Sequence, residues 1–107
     1  MTTEQLALQN KAFELASKYG FTLCDEVNFL WHDDPELGQE LYYYASFDDA
    51  TNAIIEDADI PVFLSISADY IRFDVDSAVA SGASSHAKFN KNTVTRAKAY
   101  ITDNYSY

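Results

Sequence analysis

Apolar and polar residues alternate most strictly in the segment YIRFDVDS, residues 70 to 77. In an extended strand its apolar residues would share one side and its charged residues the other. The two sets are Ile71, Phe73 and Val75, and Arg72, Asp74 and Asp76. The preceding segment PVFLSIS, residues 61 to 67, is mostly apolar, and residues 67 to 69 form a short connection. The pattern predicts an antiparallel hairpin whose second strand has one face in water.

Helical spacing of apolar residues predicts a helix at each end of the chain. The first covers residues 3 to 19 and ends at Gly20. The last has Asn92 as its cap and covers residues 92 to 104. Their apolar stripes consist of Leu8, Ala12, Leu15 and Tyr19 in the first helix and of Val94, Ala97 and Ile101 in the last.

Shorter signals predict the elements between these. Asp48 or Asp49 is a suitable N-cap for a short helix, which Pro61 and the residue before it would end. From residue 77 to residue 92 the chain is small and polar, SAVASGASSHAKFNKN. This composition predicts a loop with a helical turn near residues 78 to 80.

Residues 21 to 31 are β-prone and allow two interpretations. They can form two strands that turn at Asp25 and Glu26, or one longer, irregular strand.

Residues 41 to 47, LYYYASF, favour a strand preceded by a helical turn. Tyrosine and phenylalanine favour strands, and Gly38 weakens a helix. The competing interpretation is a helix that begins at Asp33 or Asp34 and continues through this segment.

Together these elements predict a single α+β domain over residues 1 to 107. Its small, mostly antiparallel sheet would have the N- and C-terminal helices packed on one face. A chain of this length buries roughly 65% of its unfolded surface, which is enough for one core. Hydrophobic residues make up 48% of the chain, with three glycines and two prolines, a composition typical of folded proteins.

The chain is expected to act in the cytoplasm. Cys24 is the only cysteine, so no internal disulfide can form and a reducing compartment is indicated. No apolar run reaches the roughly 18 residues of a membrane helix, and the start MTTEQLALQNK lacks the features of a signal peptide.

The net charge of −10 is concentrated in the middle of the chain. Residues 25 to 76 contain fourteen acidic residues against the single Arg72, whereas residues 77 to 107 carry a net charge of +3. Such an anionic surface repels phosphates and anionic lipids and attracts basic partners. We therefore expect no direct binding of nucleic acid, no membrane binding, and a basic protein as the partner.

Eleven carboxylates and one tyrosine are the candidate partner-binding residues. Alternate residues of a strand lie about 6.6 to 7 Å apart, and neighbours on a helix face about 5 to 6 Å apart. These spacings are close to those of successive phosphates on a nucleic acid strand. The candidates are Asp33, Asp34, Glu36, Glu40, Tyr43, Asp48, Asp49, Glu56, Asp57, Asp59, Asp74 and Asp76.

Residue types for other chemistry are present without a supporting pattern. Cys24, His32 and the acidic pair at residues 33 to 34 could supply a nucleophile, base and orienter, yet no local signature surrounds them. The pairs at residues 57 and 59 and at residues 74 and 76 do not continue as a calcium loop. We expect no catalytic residues, no metal site and no cofactor.

No motif identifies a family. In general character, one small anionic domain with a tyrosine cluster resembles phage or mobile-element inhibitors of defence nucleases, including some anti-CRISPR proteins and DNA mimics. The resemblance implies a non-enzymatic inhibitor that occupies the basic nucleic-acid groove of a nuclease or another DNA- or RNA-binding protein.

Two alternatives belong to other classes. The chain could be a housekeeping interaction module or an antitoxin-like partner whose acidity serves only solubility. It could also be a divalent-cation-binding protein. A homodimer is a further option, in which the basic end of one copy meets the acidic face of another; that end comprises Lys88, Lys91, Arg96 and Lys98.

Overall fold

Three α-helices and six strands make up the part of the chain that a computed structural model describes, residues 3–24, 30–34 and 38–106. Side chains are described for residues 3–24 and 40–106. In chain order the elements are α1 (Thr3–Tyr19), β1 (Thr22–Leu23), β2 (Leu30–Asp34), β3 (Gly38–Ser46), α2 (Asp49–Ala58), β4 (Val62–Ser67), β5 (Ile71–Val75), β6 (Ala78–Ala83) and α3 (Lys91–Tyr105). A single 3-10 turn, His86–Lys88, precedes α3.

All strand pairs in the sheet are antiparallel, as the sequence predicts. The spatial order is β1-β3-β4-β5-β6, and β2 also pairs with β3. Both β1 and β2 run antiparallel to β3, so they run in the same direction. Because they run in the same direction, β1 and β2 do not form the hairpin that one interpretation predicts. For the other interpretation, one longer strand, the connecting residues 25–29 lie outside the described residues. The turn proposed at Asp25 and Glu26 lies outside the described residues.

The helices all pack on one face of this sheet, which confirms the predicted α+β architecture. Alternate residues of β3, β4 and β5 are almost completely buried against α1 and α3. Each fully buried Leu, Ile, Val or Phe contributes about 1.5–3 kcal/mol, so this layer is the main source of stability. Its sheet residues are Leu41, Tyr43, Ala45, Val62, Leu64, Ile66, Ile71, Phe73 and Val75.

Phe73, in the middle of β5, is the centre of an aromatic cluster. Its ring centroid lies 5.1 Å from that of Phe21, 5.4 Å from that of Phe47 and 5.8 Å from that of Phe89. Phe21 lies two positions after the end of α1, Phe47 two positions before α2, and Phe89 two positions before α3. The cluster therefore fixes the points at which the three helices meet the sheet.

The predicted loop over residues 77 to 92 is wrong in its first half, because Ala78–Ala83 forms β6. The two-residue connection from β5 uses Asp76 and Ser77, whose φ angles are 45° and 70°. Positive φ at both positions is what a tight type I′ hairpin turn requires. Asp76 thus lies in a turn and not on a strand.

Small residues, read in the sequence as loop signals, suit β6 because it closely approaches β5. Gly82 pairs with Arg72 across the two strands. A Cβ atom at Gly82 would lie 3.3 Å from the Cβ atom of Arg72. Propensity alone disfavours this strand, whereas ladder pairing and contact with α3 stabilise it.

β3 confirms the preferred strand over residues 41 to 47, beginning earlier, at Gly38. The competing helix is excluded because Asp33 and Asp34 lie in β2 and pair with Gln39 and Gly38. The helical turn expected before the strand falls mainly on residues 35–37, outside the described residues.

The helix boundaries follow their capping residues. α1 covers the predicted residues and ends at Gly20, whose φ is 79°. Asp48 caps α2, as predicted, and accepts a hydrogen bond of 2.8 Å from the backbone N–H of Thr51. The cap of α3 is Asn90, two residues before the predicted Asn92, and it forms a reciprocal capping box with Thr93.

The pH dependence of stability is expected to include a contribution from Asp48. The pKa of its carboxyl lies well below the ordinary range, because Lys98 binds it at 2.5 Å and Thr51 donates to it. A carboxyl with a lowered pKa in the folded state stabilises the fold above its unfolded pKa, and that contribution is lost as the pH falls through the folded pKa. We expect the Asp48→Asn variant, which keeps a capping oxygen without the charge, to lose stability less steeply below about pH 4.

Urea unfolding of the wild type and the variant between neutral and acid pH measures this difference. Asp49→Asn is the matched control, because it removes the neighbouring exposed carboxyl and should follow the wild-type curve. Identical curves for wild type and Asp48→Asn would contradict the assignment.

Candidate functional site

Strand pleating leaves a second face of the sheet, opposite the helices. Because side chains alternate along each strand, the residues between the core positions all project to this helix-free face. Most of them are polar or aromatic, and several are buried by one another. From β3, β4 and β5 they are Glu40, Tyr42, Tyr44, Phe63, Ser65, Ser67, Arg72 and Asp74.

Glu40 is the anchor of a hydrogen-bond network on this face. Its side chain is only 2% exposed. The hydroxyl of Tyr70 donates to Oε1 and the hydroxyl of Tyr42 donates to Oε2. Nη2 of Arg72 lies 3.4 Å from Oε1. A buried carboxylate with three donors is well satisfied, so Glu40 serves to hold its partners in position.

Arg72 joins Glu40 to a second carboxylate, Asp74. Nε of Arg72 lies 3.2 Å from Oδ2 of Asp74, which also accepts a hydrogen bond of 2.6 Å from Ser65. The guanidinium lies 5.0 Å from the ring centroid of Tyr70. Burial alone would lower the pKa of Arg72, but Asp74, Tyr70 and Glu40 raise it. With one cation and two carboxylates, the network keeps a net charge of −1.

The tyrosine hydroxyls of the network stay protonated well above neutral pH. Burial, followed by the hydrogen bond to Glu40 and its charge, raises the pKa of Tyr42 to about 12. The same causes raise the pKa of Tyr70. Both hydroxyls therefore remain donors throughout the physiological range.

A pocket of about 420 Å³ opens beside this network. The rings of Tyr42 and Phe63 form two of its walls, with centroids 6.5 Å apart and planes at 79°. Tyr44, two residues after Tyr42 and on the same face of β3, also packs on Phe63, with 4.6 Å between the ring centroids. The pocket is lined by Tyr42, Phe63, Arg72, Asp74, Ser77 and Val79.

A separate group of exposed carboxylates follows α2 and the adjacent turn; we call it the acidic edge. The backbone N–H of Asp76 donates to the carbonyl of Pro61 at 3.1 Å. This contact holds the β5–β6 turn against the chain that leaves α2. From Asp49 to Asp59 the helix extends about 15 Å at 1.5 Å per residue. The acidic edge comprises Asp49, Glu56, Asp57, Asp59 and Asp76.

The ion pairs of the described basic residues involve other carboxylates. Lys11 pairs with Glu14 on α1, Lys98 pairs with Asp48, and Arg72 belongs to the network of the helix-free face. Among the described side chains, no lysine or arginine forms an ion pair with the acidic edge. The other basic residues are Lys18, Lys88, Lys91 and Arg96.

Two of the predicted partner-binding residues are buried, and the expectation that they lie on the surface is wrong. Tyr43 is 2% exposed and faces the helices, because its position in β3 belongs to the core side of the pleat. Glu40 is on the other side but is enclosed by Tyr42, Tyr70 and Arg72.

Asp74 and Asp76 do not form the expected line of charges along β5. Asp74 is 18% exposed and is bound by Arg72 and Ser65. Asp76 is exposed, but the strand ends before it. The predicted spacing along a strand therefore does not apply to this pair.

Of the remaining candidates, Asp49, Glu56, Asp57 and Asp59 are exposed along α2 and at its end. Asp48 is engaged by Lys98. The side chains at residues 33 and 34 lie outside the described residues, and so does the whole of Glu36.

The pocket was missed at the sequence level. One signal was available: Arg72 is the only lysine or arginine between residues 25 and 76. A lone cation in such an acidic segment, two positions from Asp74 on the same strand face, indicates a local ion pair. The contributions of Ser65 and Tyr70 come from neighbouring elements and carry no signal in sequence spacing.

Comparisons with protein-family models, curated proteins and solved structures find no match to this chain. No helix among the described residues is long and apolar enough to cross a membrane. The described side chains contain no group of three or more His, Cys, Asp or Glu that could hold a metal ion. The side chain of His32, a candidate base, lies outside the described residues.

Proposed function

We propose that this protein is a non-enzymatic inhibitor that inserts its acidic edge into the basic nucleic-acid groove of a nuclease or another DNA- or RNA-binding protein. The observation that supports the proposal is the set of five exposed carboxylates, held on a helix and a tight turn, with no ion pair to the described basic side chains.

The physical reason is competition for phosphate-binding cations. The acidic edge distributes its carboxylates over about 15 Å along α2, a length comparable with a few successive phosphates of one nucleic acid strand. Binding would release counterions from the groove, so affinity should decrease steeply with salt. Because helix and turn are already ordered, little conformational entropy is lost on binding.

The acidic edge contains only part of the residue set expected from the sequence, because Glu40 and Tyr43 are buried and Asp48 pairs with Lys98. Asp74 is not a phosphate mimic, since Arg72 already neutralises it. Glu56, Asp57 and Asp59, which belong to the expected set, lie at the C-terminal end of α2. Negative charges at the C-terminal end of a helix are unfavourable with its dipole, so these three carboxylates do not serve the stability of α2. We place the protein in the cytoplasm, where its nucleic-acid-binding partner would act.

A second candidate function is a charge-independent interaction module. Tyr44 is 38% exposed and Val79 is 56% exposed, and both flank Phe63 on the helix-free face. Exposed aromatic residues of this kind are enriched at protein interfaces. Affinity through the apolar contacts of Tyr44, Phe63 and Val79 alone should change little with salt, which distinguishes such contacts from the acidic edge.

Charge reversal tests the proposal. Glu56→Lys/Asp57→Lys is expected to weaken capture of a nucleic-acid-binding enzyme from host lysate by about tenfold or more, because it places cations against a basic groove. Captured material should be displaced by double-stranded DNA and by moderate salt. Affinities are then measured with the purified partner over a series of salt concentrations.

Glu4→Lys/Glu14→Lys on α1 is the matched control, since it gives the same net charge away from the acidic edge. Retention of binding by this control, with loss in the edge variant, supports the proposal. Equal loss of binding in both variants would show that only the net charge of the protein matters, which contradicts the proposal. Binding that does not change with salt would favour the interaction module.

A further inference from the structure

The pocket on the helix-free face has the walls of a cation site. Tyr42 and Phe63 present two nearly perpendicular rings, and Val79 lines the same pocket. The face of an aromatic ring attracts a cation through its quadrupole. Within the described residues, no lysine or arginine lies over the ring of Phe63.

The polar lining retains an acceptor. Oδ2 of Asp74 binds Ser65 and Arg72. Its second oxygen, Oδ1, accepts no hydrogen bond from the described residues. The carboxylate is only partly exposed, so solvent screens it less than a free surface charge. A donor group in the pocket could therefore bind Oδ1 directly.

The charges disfavour an anionic ligand. Arg72 is shared between Glu40 and Asp74 and lies over Tyr70, so its charge is already compensated. The three ionised groups sum to −1, and the chain as a whole carries −10. An anionic ligand would be repelled by the two carboxylates. A cationic ligand would neutralise the net charge of −1.

The size of the pocket limits the ligand to a small group. Sites for small molecules are typically about 300–1,000 Å³, and this pocket of about 420 Å³ is near the lower end. The pocket therefore has room for one amino-acid side chain and is too small for a folded surface, and its charge disfavours a nucleotide.

We propose that this pocket binds a guanidinium or alkylammonium group, as carried by an arginine or lysine side chain. The cation lies against Phe63 and Tyr42 and donates to Oδ1 of Asp74. Glu40 holds Arg72 back on Tyr70 and so keeps the pocket open. The site is distinct from the acidic edge and does not depend on the identity of the proposed partner.

N-acetyl-arginine amide is a suitable probe, because the guanidinium is its only charge. Titration into nitrogen-15-labelled protein should shift the backbone amides of Arg72, Asp74, Ser77 and Val79 in a saturable manner. N-acetyl-citrulline amide, which has the same shape without the charge, should bind about tenfold more weakly, the usual effect of losing a charged hydrogen bond. Comparable shifts with citrulline, or tighter binding of N-acetyl-glutamate amide, would overturn the proposal.

Variants locate the site. Asp74→Asn should weaken arginine binding about tenfold while its remaining oxygen still accepts from Ser65. Val79→Lys should abolish binding by supplying a cation from the chain itself, at a position exposed enough to preserve the fold.

Asp76→Asn is the matched control, because it removes one exposed carboxylate outside the pocket and asparagine tolerates positive φ. A loss in Asp76→Asn equal to that in Asp74→Asn would show diffuse attraction and no site. Because the assay needs no partner protein, its result is independent of the acidic-edge experiment.

Discussion

A Glu40→Ala variant is expected to lose about 2–4 kcal/mol of unfolding free energy, because removing one member of a buried ion pair leaves its partners unsatisfied. This loss is smaller than that for a fully buried ion pair, because Arg72 is 31% exposed. In the variant, Arg72 can still bind Asp74 and can also bind water. The hydroxyls of Tyr42 and Tyr70 also lose their acceptor. Urea unfolding measures the change as a lower midpoint with an unchanged slope.

Glu40→Gln separates charge from hydrogen bonding. The amide oxygen still accepts from one tyrosine, so we expect roughly half of the alanine effect. In both variants the pKa of Tyr42, followed by NMR, should fall from about 12 toward its ordinary value of 10.0, yet stay above it because burial is the larger cause. A stable alanine variant with an unchanged Tyr42 pKa would show that the network is not formed.

Phe73→Ala should have the largest effect on stability, a loss of about 3–5 kcal/mol. The side chain is completely buried and contacts the three rings that precede or follow the helices. A domain of this size has about 5–15 kcal/mol in total, so the variant should be close to unfolding at room temperature. Phe73→Leu, which keeps most of the volume, should lose less than about 1.5 kcal/mol.

Phe63→Ala provides the control on the opposite face. Phe63 is partly exposed and packs only on Tyr42 and Tyr44 within the described aromatic contacts. Its replacement should therefore cost about 1 kcal/mol, a typical value for a point mutation. Equal losses at Phe63 and Phe73 would contradict a single core on the helix side, and thermal unfolding of the four proteins decides between these outcomes.

Local signals predicted most of the fold. The caps and terminators at Asp48 and Gly20 lie where the sequence places them, because an N-cap oxygen or a positive φ acts within a few residues. The alternation of Ile71, Phe73 and Val75 predicted the buried face of β5 for the same reason. β6 was missed because its stability comes from pairing with β5, and this long-range contribution overrides weak propensity.

The candidate site was predicted less completely. Charge content identified Glu56, Asp57 and Asp59 as surface carboxylates, and they are exposed. The same reasoning treated Glu40 and Asp74 as surface charges, although Arg72 binds both. Arg72 lies on β5, the same strand as Asp74, and reaches Glu40 on β3 across the intervening strand β4. Which carboxylate meets a cation depends on strand order and register, and no composition rule contains that information.

The sequence by itself determined the α+β class, the terminal helices, the β4–β5 hairpin and the excess of negative charge, since these follow from periodicity, capping and counting. Only the tertiary structure decided that Tyr43 faces the core, that Glu40 is enclosed, and that Asp49, Glu56, Asp57 and Asp59 remain exposed and without an ion pair to the described side chains. The physical reason is that burial and ion pairing are properties of neighbours in space. Pairing β3 with β4, and β4 with β5, brings Glu40, Ser65 and Arg72 side by side from distant parts of the chain.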